Sequence, residues 1–347
     1  MSTWLPERIV DISSRLSRWY YARRYGEMAR WLGRPGIAGD PQRRGFIIIQ
    51  IDGLSYDTLV QAVAAGHMPH VARLLGERRL VVGSWRGGLP STTTAVQAGL
   101  LFGNRDDIPG FRWYDKEQRA SVVTKRPDHM RALRARISQR RLGILRGGSC
   151  YVSVFDGDAD LALFTLSSFH SQRFFESARG LGLFLLFLLS PLRVLHLLWR
   201  ILCGYLRRLW RRLKASTRRN VVNLLDLITP FLSTAADVLF TEVQTFGIIM
   251  DIYRCVPSIY SNYTGYDEMA HKAGPDRSAA FEALRIIDRA IRQVNRMRVR
   301  YRRREYDLYI MSDHGNTPSV PFSWIHEGTL GDAIRAHEDV VGRDVAM

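Results

Sequence analysis

The run Tyr306-Asp307-Leu308-Tyr309-Ile310-Met311 stops abruptly at Ser312-Asp313-His314-Gly315. A short apolar run cut off by polar residues is the pattern of a strand buried in a sheet. An acid and an imidazole side by side at the carboxyl end of such a strand lie where open α/β sheets hold their ligands. The pair suits a borderline cation such as zinc, and Asp-His-Gly also serves as a plain polar turn. The stretch therefore points to an α/β chain whose chemistry collects at strand ends.

Residues 46–51, Phe-Ile-Ile-Ile-Gln-Ile, form a second run in the β-branched style of parallel strands, and it ends in Asp52-Gly53. Residues 80–85, 149–154, 246–250 and 258–263 read as further strands. Residues 56–65, 68–75, 95–101 and 276–296 read as helices, the last with Phe281, Leu284, Ile287, Ile291 and Val294 on one face. The segment Gly87-Gly88-Leu89-Pro90-Ser91-Thr92-Thr93-Thr94 delivers a cluster of hydroxyls to a helix start. Free N–H groups and the positive dipole end favour an anion there, while simple N-capping by Thr accounts for the same residues. Asp267 and His271 are spaced to share one helix face and reach one ion. Asp156, Asp158 and Asp160 alternate as in a calcium loop. The glycine position is wrong and no downstream acid completes the set, which argues against calcium.

A chain of 347 residues has room for one large core or two domains, and 46% apolar content is that of a globular protein. A formal charge of +17 calls for an anionic partner: nucleic acid, anionic lipid or a phosphorylated substrate. The 3 cysteines show neither paired spacing nor a CxxC motif, a usage that fits the cytosol. Residues 1–34 carry Glu7, Asp11 and Glu27 and no continuous apolar core, so they do not read as a secretory signal. They read as a basic, aromatic-rich helical segment, packed on the main domain or lying on a membrane surface. Residues 35–44 follow as a Pro/Gly linker.

Residues 180–192 are uncharged and mostly apolar. As a helix they would extend roughly 20 Å, against a hydrocarbon core of about 30 Å. From Ser190-Pro191, a helix-start signal, the pattern becomes two-faced. Arg193, His196, Arg200, Arg207, Arg211, Lys214 and Arg218 fall on one side; Leu195, Leu198, Trp199, Leu202, Leu206, Leu209 and Leu213 fall on the other. No acid occurs between Glu176 and Asp226. Such a helix lies in the plane of an anionic membrane surface; packing on the core and spanning together with the preceding run are the alternatives. The basic residues sit on an Arg/Leu helix and no nucleic-acid module is present, so nucleic acid is the less favoured partner.

The order of these pieces resembles the alkaline phosphatase superfamily, and within it the type I phosphodiesterase/nucleotide pyrophosphatase group. The residues that carry the resemblance are Ile51-Asp52-Gly53; Leu89-Pro90-Ser91-Thr92-Thr93 running on to Ala98-Gly99-Leu100-Leu101-Phe102-Gly103; Tyr266-Asp267 with His271; and Ser312-Asp313-His314-Gly315. It spans residues 45–316 apart from 168–240, which look inserted. The resemblance implies an α/β fold with a mostly parallel sheet flanked by helices, here with a hydrophobic and basic helical insertion. It implies a site for two divalent metal ions, zinc by preference. Asp52, Thr93, Asp313 and His314 would surround one ion, and Asp267 and His271 would bind the other. It also implies a threonine nucleophile, with Thr93 favoured by its distance from Gly103 and Thr92 and Thr94 close in register. The substrate would be a phosphodiester or pyrophosphate, nucleotide or lipid-linked. Sulfatases of the same superfamily need a Cys or Ser followed by x-Pro-x-Arg, a motif that none of the cysteines here supplies.

The chain departs from the family pattern after Asp-His-Gly, where another His is expected. His326 and His337 come too early and the sequence stops at Met347, which points to a truncated or catalytically degenerate chain. The expected organisation is a basic N-terminal segment and linker (1–44), a first hydrolase part (45–167), a membrane-associating insertion (168–240) and a second hydrolase part (241–347). Asp52 and Thr93 precede the insertion and Asp267 and Asp313 follow it. One shared site therefore excludes a single membrane crossing, and the positive charge favours the cytoplasmic face with contact through residues 180–219. Two rival functions keep the fold: a phosphomonoesterase or phospho-group transferase, and an inactive membrane-bound scaffold.

Overall fold

The computed structural model describes residues 41–139, 141–168, 194–195, 197–199, 201–206, 210, 224–320, 322–326 and 328–344. The expectations for residues 1–40, and those for most of 169–223, lie outside the described residues.

In chain order the strands are β1 (Gly45–Ile51), β2 (Arg112–Asp115), β3 (Ala120–Val123), β4 (Ser149–Ser153), β5 (Leu161–Thr165), β6 (Ser258–Tyr263) and β7 (Tyr306–Met311). The helices are α1 (Tyr56–Ala64), α2 (Pro69–Gly76), α3 (Thr93–Phe102), α4 (Pro127–Ile137), α5 (Leu224–Tyr253), α6 (Gly265–Ala273), α7 (Ser278–Arg300), α8 (Phe322–Ile325) and α9 (Leu330–Asp344). Five strands form one sheet in the order β5-β4-β6-β1-β7, all pairings parallel. The sheet and its flanking helices make an α/β fold of the expected kind.

β1 explains why this sheet needs cover on both faces. Ile47, Ile49 and Ile51 are buried on one side with α7 residues Leu284, Ile287 and Ile291, and Ile48 is buried on the other with Ala95, Ala98 and Leu101 of α3. Each such burial stabilises the fold by roughly 1.5–3 kcal/mol relative to exposure. The register sets Gln50 opposite Asn262 on one neighbour and Met311 on the other. Asp52, Asn262 and Asp313 therefore emerge at one end of three adjacent strands.

Helix α5 runs unbroken through residue 240, across the boundary expected there between the insertion and the second hydrolase part. Residues 246–250, expected as a strand, lie inside it. Their apolar run cannot by itself distinguish a strand from a buried helix; burial of Phe246, Ile248 and Met250 against the sheet resolves it as helix. Gly247 permits the approach, since a Cβ there would stand 2.5 Å from the Tyr151 ring. The Tyr151 hydroxyl donates to Asp251 Oδ2 at 2.5 Å, and burial raises Asp251 to about 6.

Residues 80–85 form no strand. Val81 is 95% exposed, and the segment is fixed near the sheet by the Trp85 indole donating to Ser312 O at 3.0 Å, not by a backbone ladder. Residues 111–148 contain the short β2–β3 hairpin and α4. Asp156 and Asp158 are paired with Arg134 at 3.1 and 2.7 Å, an arrangement that supports a loop and agrees with the argument against calcium.

Within residues 168–240, expected as an insertion, residues 197–199 and 201–206 are helical. Leu197 joins the core beside Val238, while Leu195, Leu198, Trp199, Leu202, Leu206 and Trp210 are exposed. Among the described residues, no helix is long and apolar enough to cross a membrane.

Candidate active site

The strand ends assemble a cluster from three separate stretches of chain. β1 delivers Asp52, the loop after β7 delivers Asp313 and His314, and the first turn of α3 delivers Thr93. One carboxylate oxygen of each Asp and one ring nitrogen of His314 lie within 4.8 Å of one another. That is close to the roughly 4 Å that two ligand bonds of about 2 Å can bridge. Thr93 Oγ1 donates to Asp52 Oδ1 at 3.3 Å and lies 3.3 Å from His314 Nε2. Of the three adjacent threonines, Thr92 is the N-cap, accepting from Ala95 N at 3.4 Å, and Thr94 is buried; Thr93 is the one at the cluster.

Each ligand-type side chain is held from behind. Asn262, at the end of β6, donates to Asp52 Oδ2 at 3.0 Å and so leaves Oδ1 for the cluster. Gly53 N donates to Asp313 Oδ1 at 3.2 Å. The Ser312 hydroxyl accepts from Leu54 N at 2.9 Å and donates to His314 O at 2.8 Å, tying the two strand-end loops together. The loop before α3 is pinned by Arg105, whose Nη1 donates to Gly87 O and whose Nη2 donates to Leu89 O at 3.0 Å.

Asp313 Oδ2 is buried and accepts no hydrogen bond, with His314 Nε2 3.7 Å away. A buried carboxylate oxygen without a partner is costly, and a cation is a partner that would satisfy it. Burial first, and then the charge of Asp52, push Asp313 up to about 6. The bond to Asp52 raises His314 to about 9 against the opposing effect of burial, so at neutral pH a protonated imidazole balances part of the carboxylate charge. A divalent ion held by the same three groups would replace that proton. Two acidic oxygens and an imidazole nitrogen are a donor set suited to a borderline cation.

Asp267 and His271 share a face of α6, with Oδ2 and Nε2 3.2 Å apart. They join no third acid, His or Cys in a ligand-type group among the described residues. They sit beside the first cluster across the β1 turn: Gly53 has φ +70, and a Cβ there would overlap Asp267 Oδ1. His326 stacks on Phe322 at 4.4 Å and His337 is exposed on α9. The sequence patterns single out neither Asn262 nor Asn316, whose amide bonds both Gly53 O and Asp267 Oδ1. Their places, at the end of a strand and just past Asp-His-Gly, were the available signal.

A parallel sheet with acids, an imidazole and a helix-start hydroxyl at its strand ends is consistent with the alkaline phosphatase superfamily. Residues 226–340, a minority of the chain, match the family model for type I phosphodiesterase / nucleotide pyrophosphatase. The family is one of metal-dependent hydrolases acting on phosphoric ester bonds. The matched span includes Asp267, His271, Asp313 and His314 and begins after Asp52 and Thr93. No curated protein matches the chain.

Proposed function

We propose that the protein hydrolyses a phosphodiester or pyrophosphate bond with Thr93 as nucleophile, in a site for two divalent ions, zinc by preference. The observation that carries this reading is the position of Thr93 Oγ1, 3.3 Å from both Asp52 Oδ1 and His314 Nε2. Asp52, Asp313, His314 and Thr93 hold one ion, and Asp267 and His271 the other. Bound there, the ions lower the pKa of the attacking hydroxyl and offset charge on the attacking and leaving oxygens.

The chain's own groups set the geometry. Asp52 Oδ1, fixed by Asn262, receives the hydrogen bond of the Thr93 hydroxyl and gives its proton an acceptor. The α3 N-terminus presents free N–H groups to the phosphoryl oxygens. Thr93 Oγ1 forms a bond to phosphorus as the bond to the leaving oxygen breaks, and that oxygen leaves as an alcohol or phosphate after taking a proton from solvent. Water then attacks the phospho-Thr93, breaking the Oγ1–P bond and restoring the hydroxyl.

The substrate's leaving group is a nucleotide or a lipid-linked phosphate, and the enzyme works at an anionic membrane surface on the cytoplasmic face. Support for the surface is the exposure of Leu195, Leu198, Trp199, Leu202, Leu206 and Trp210 in a stretch of sequence rich in arginine and free of acids. Binding to phosphatidylglycerol vesicles that weakens with salt, and is absent for phosphatidylcholine vesicles, is the expected result.

The activity test is zinc-supplemented hydrolysis of a chromogenic phosphodiester and its monoester, by the wild-type chain and by Thr93→Ala. Diester turnover lost with chelator, and reduced by at least about 10³-fold in Thr93→Ala, is expected. Faster monoester turnover would instead assign a phosphomonoesterase. No turnover with ions bound would assign an inactive scaffold.

A further inference from the structure

The two halves of the candidate site arise on different elements, and their relative position needs a physical cause. Asp52, Asp313 and His314 are set by the ends of β1 and β7, whereas Asp267 and His271 ride on α6. α6 follows its strand through a single residue, Thr264, and is seated on the core by buried Tyr266 and Ala270, so what remains to be fixed is the orientation of the Asp267 carboxylate.

We propose that Asn316 is the positioning residue that sets this spacing and thereby determines whether a second ion is held. Asn316 Nδ2 donates to Gly53 O at 3.1 Å and to Asp267 Oδ1 at 2.9 Å. Both acceptors lack protons, so both bonds require the NH2 group, and the amide orientation is fixed by chemistry. One nitrogen thus uses its two protons to join the turn after β1 to the acid of α6. The loop that carries Asp313 and His314 supplies that nitrogen. All three stretches meet at a single atom.

Two further features support the tether. Asp267 Oδ1 is occupied by Asn316, and Oδ2 faces His271 Nε2 at 3.2 Å, so the amide selects which oxygen remains for an ion. Gly53 has φ +70, and a Cβ there would overlap both Asp267 Oδ1 and Asn316 Nδ2. The backbone at this turn therefore leaves only enough room for the carboxylate and amide to meet over it. His271 has a largely exposed side chain and cannot fix α6 by packing. The tether therefore matters more to this half than to the strand-end cluster.

This inference rests on the two-ion reading, and calorimetric titration of the full chain with Zn²⁺ separates the two. Wild type should take up two ions, one tighter than the other. Asn316→Ala should keep the tight ion and weaken the second roughly 10- to 100-fold, the usual scale for loss of an outer hydrogen-bond partner. Asn316→Asp should weaken it further, because a carboxylate cannot donate and repels Asp267. Diester turnover by Asn316→Ala should recover as Zn²⁺ is raised, a rescue that a merely structural defect would not show. Two ions bound by Asn316→Ala with wild-type affinities would overturn the positioning role and leave the two-ion reading intact. A single ion in wild type would overturn both. Thermal unfolding of the zinc-free variant controls for folding: a variant that melts like wild type yet loses the second ion supports the proposal, whereas loss of both ions in step with loss of fold contradicts it.

Discussion

The two halves of the candidate site are built on opposite principles. Asp313 has a fully buried side chain, Asp52 and His314 nearly so; Gly53 N grips Asp313 and the Asn262 amide grips Asp52, each from another strand end. The Asp267–His271 pair comes from one helix, with 68% of the His271 side chain exposed. The first half is preorganised by the sheet itself, which cannot shift without disturbing the core. The second depends on helix spacing, which brings two side chains together cheaply but anchors them weakly. Ion affinity should follow the same division, tight at the sheet and weak at the helix.

The sharpest way to break this contrast is to remove one ligand from each half. Asp313→Ala should abolish the tight ion and lower diester turnover by at least about 10³-fold. His271→Ala should leave the tight ion in place, read by the same zinc titration. Equal losses in both variants would erase the distinction.

Gly53→Ala tests the seam between the halves. A residue with a Cβ at φ +70 costs roughly 1–2 kcal/mol from backbone strain alone, and the added carbon displaces Asp267. Chemical denaturation should show that loss, together with a weakened second ion.

Asn262→Leu tests the support behind the sheet-borne half. It removes the hydrogen bond to Asp52 Oδ2, and affinity for the tight ion should fall roughly 10- to 100-fold. An unchanged affinity would mean that packing alone orients Asp52.

The pH dependence of the metal-free protein has two opposite signs. Folding raises Asp313 from 3.8 to about 6 and His314 from 6.5 to about 9. The folded, metal-free protein therefore holds both protons more tightly than the unfolded chain. Asp313 contributes stability fully below 3.8 that is lost as pH rises through about 6. His314 contributes stability fully below 6.5 that is lost by about 9. Melting temperature without metal should decline across that range, while zinc affinity climbs because the same protons must leave.

The contrast between the halves also explains what the sequence could reveal. β1 and β7 were legible because an apolar run that stops at an acid is a strong local pattern, and Asp52, Asp313 and His314 came with them. The pairing of Asp267 with His271 on one helix face was legible from a four-residue interval. Asn262 and Asn316 were not, since a single amide carries neither period nor charge, and their role exists only once three strand ends meet. Residues 246–250 misled because a short apolar run has no inherent secondary structure, and its fate was decided by contact with Tyr151 of β4. Residues 80–85 misled for the converse reason: their apolar side chains remain in solvent.

The most direct test of the account is anomalous scattering from zinc-soaked crystals of the full chain. The strongest peak should lie among Asp52, Asp313 and His314, with a weaker one at Asp267 and His271. Zinc bound elsewhere, with no peak at the strand-end cluster, would contradict it.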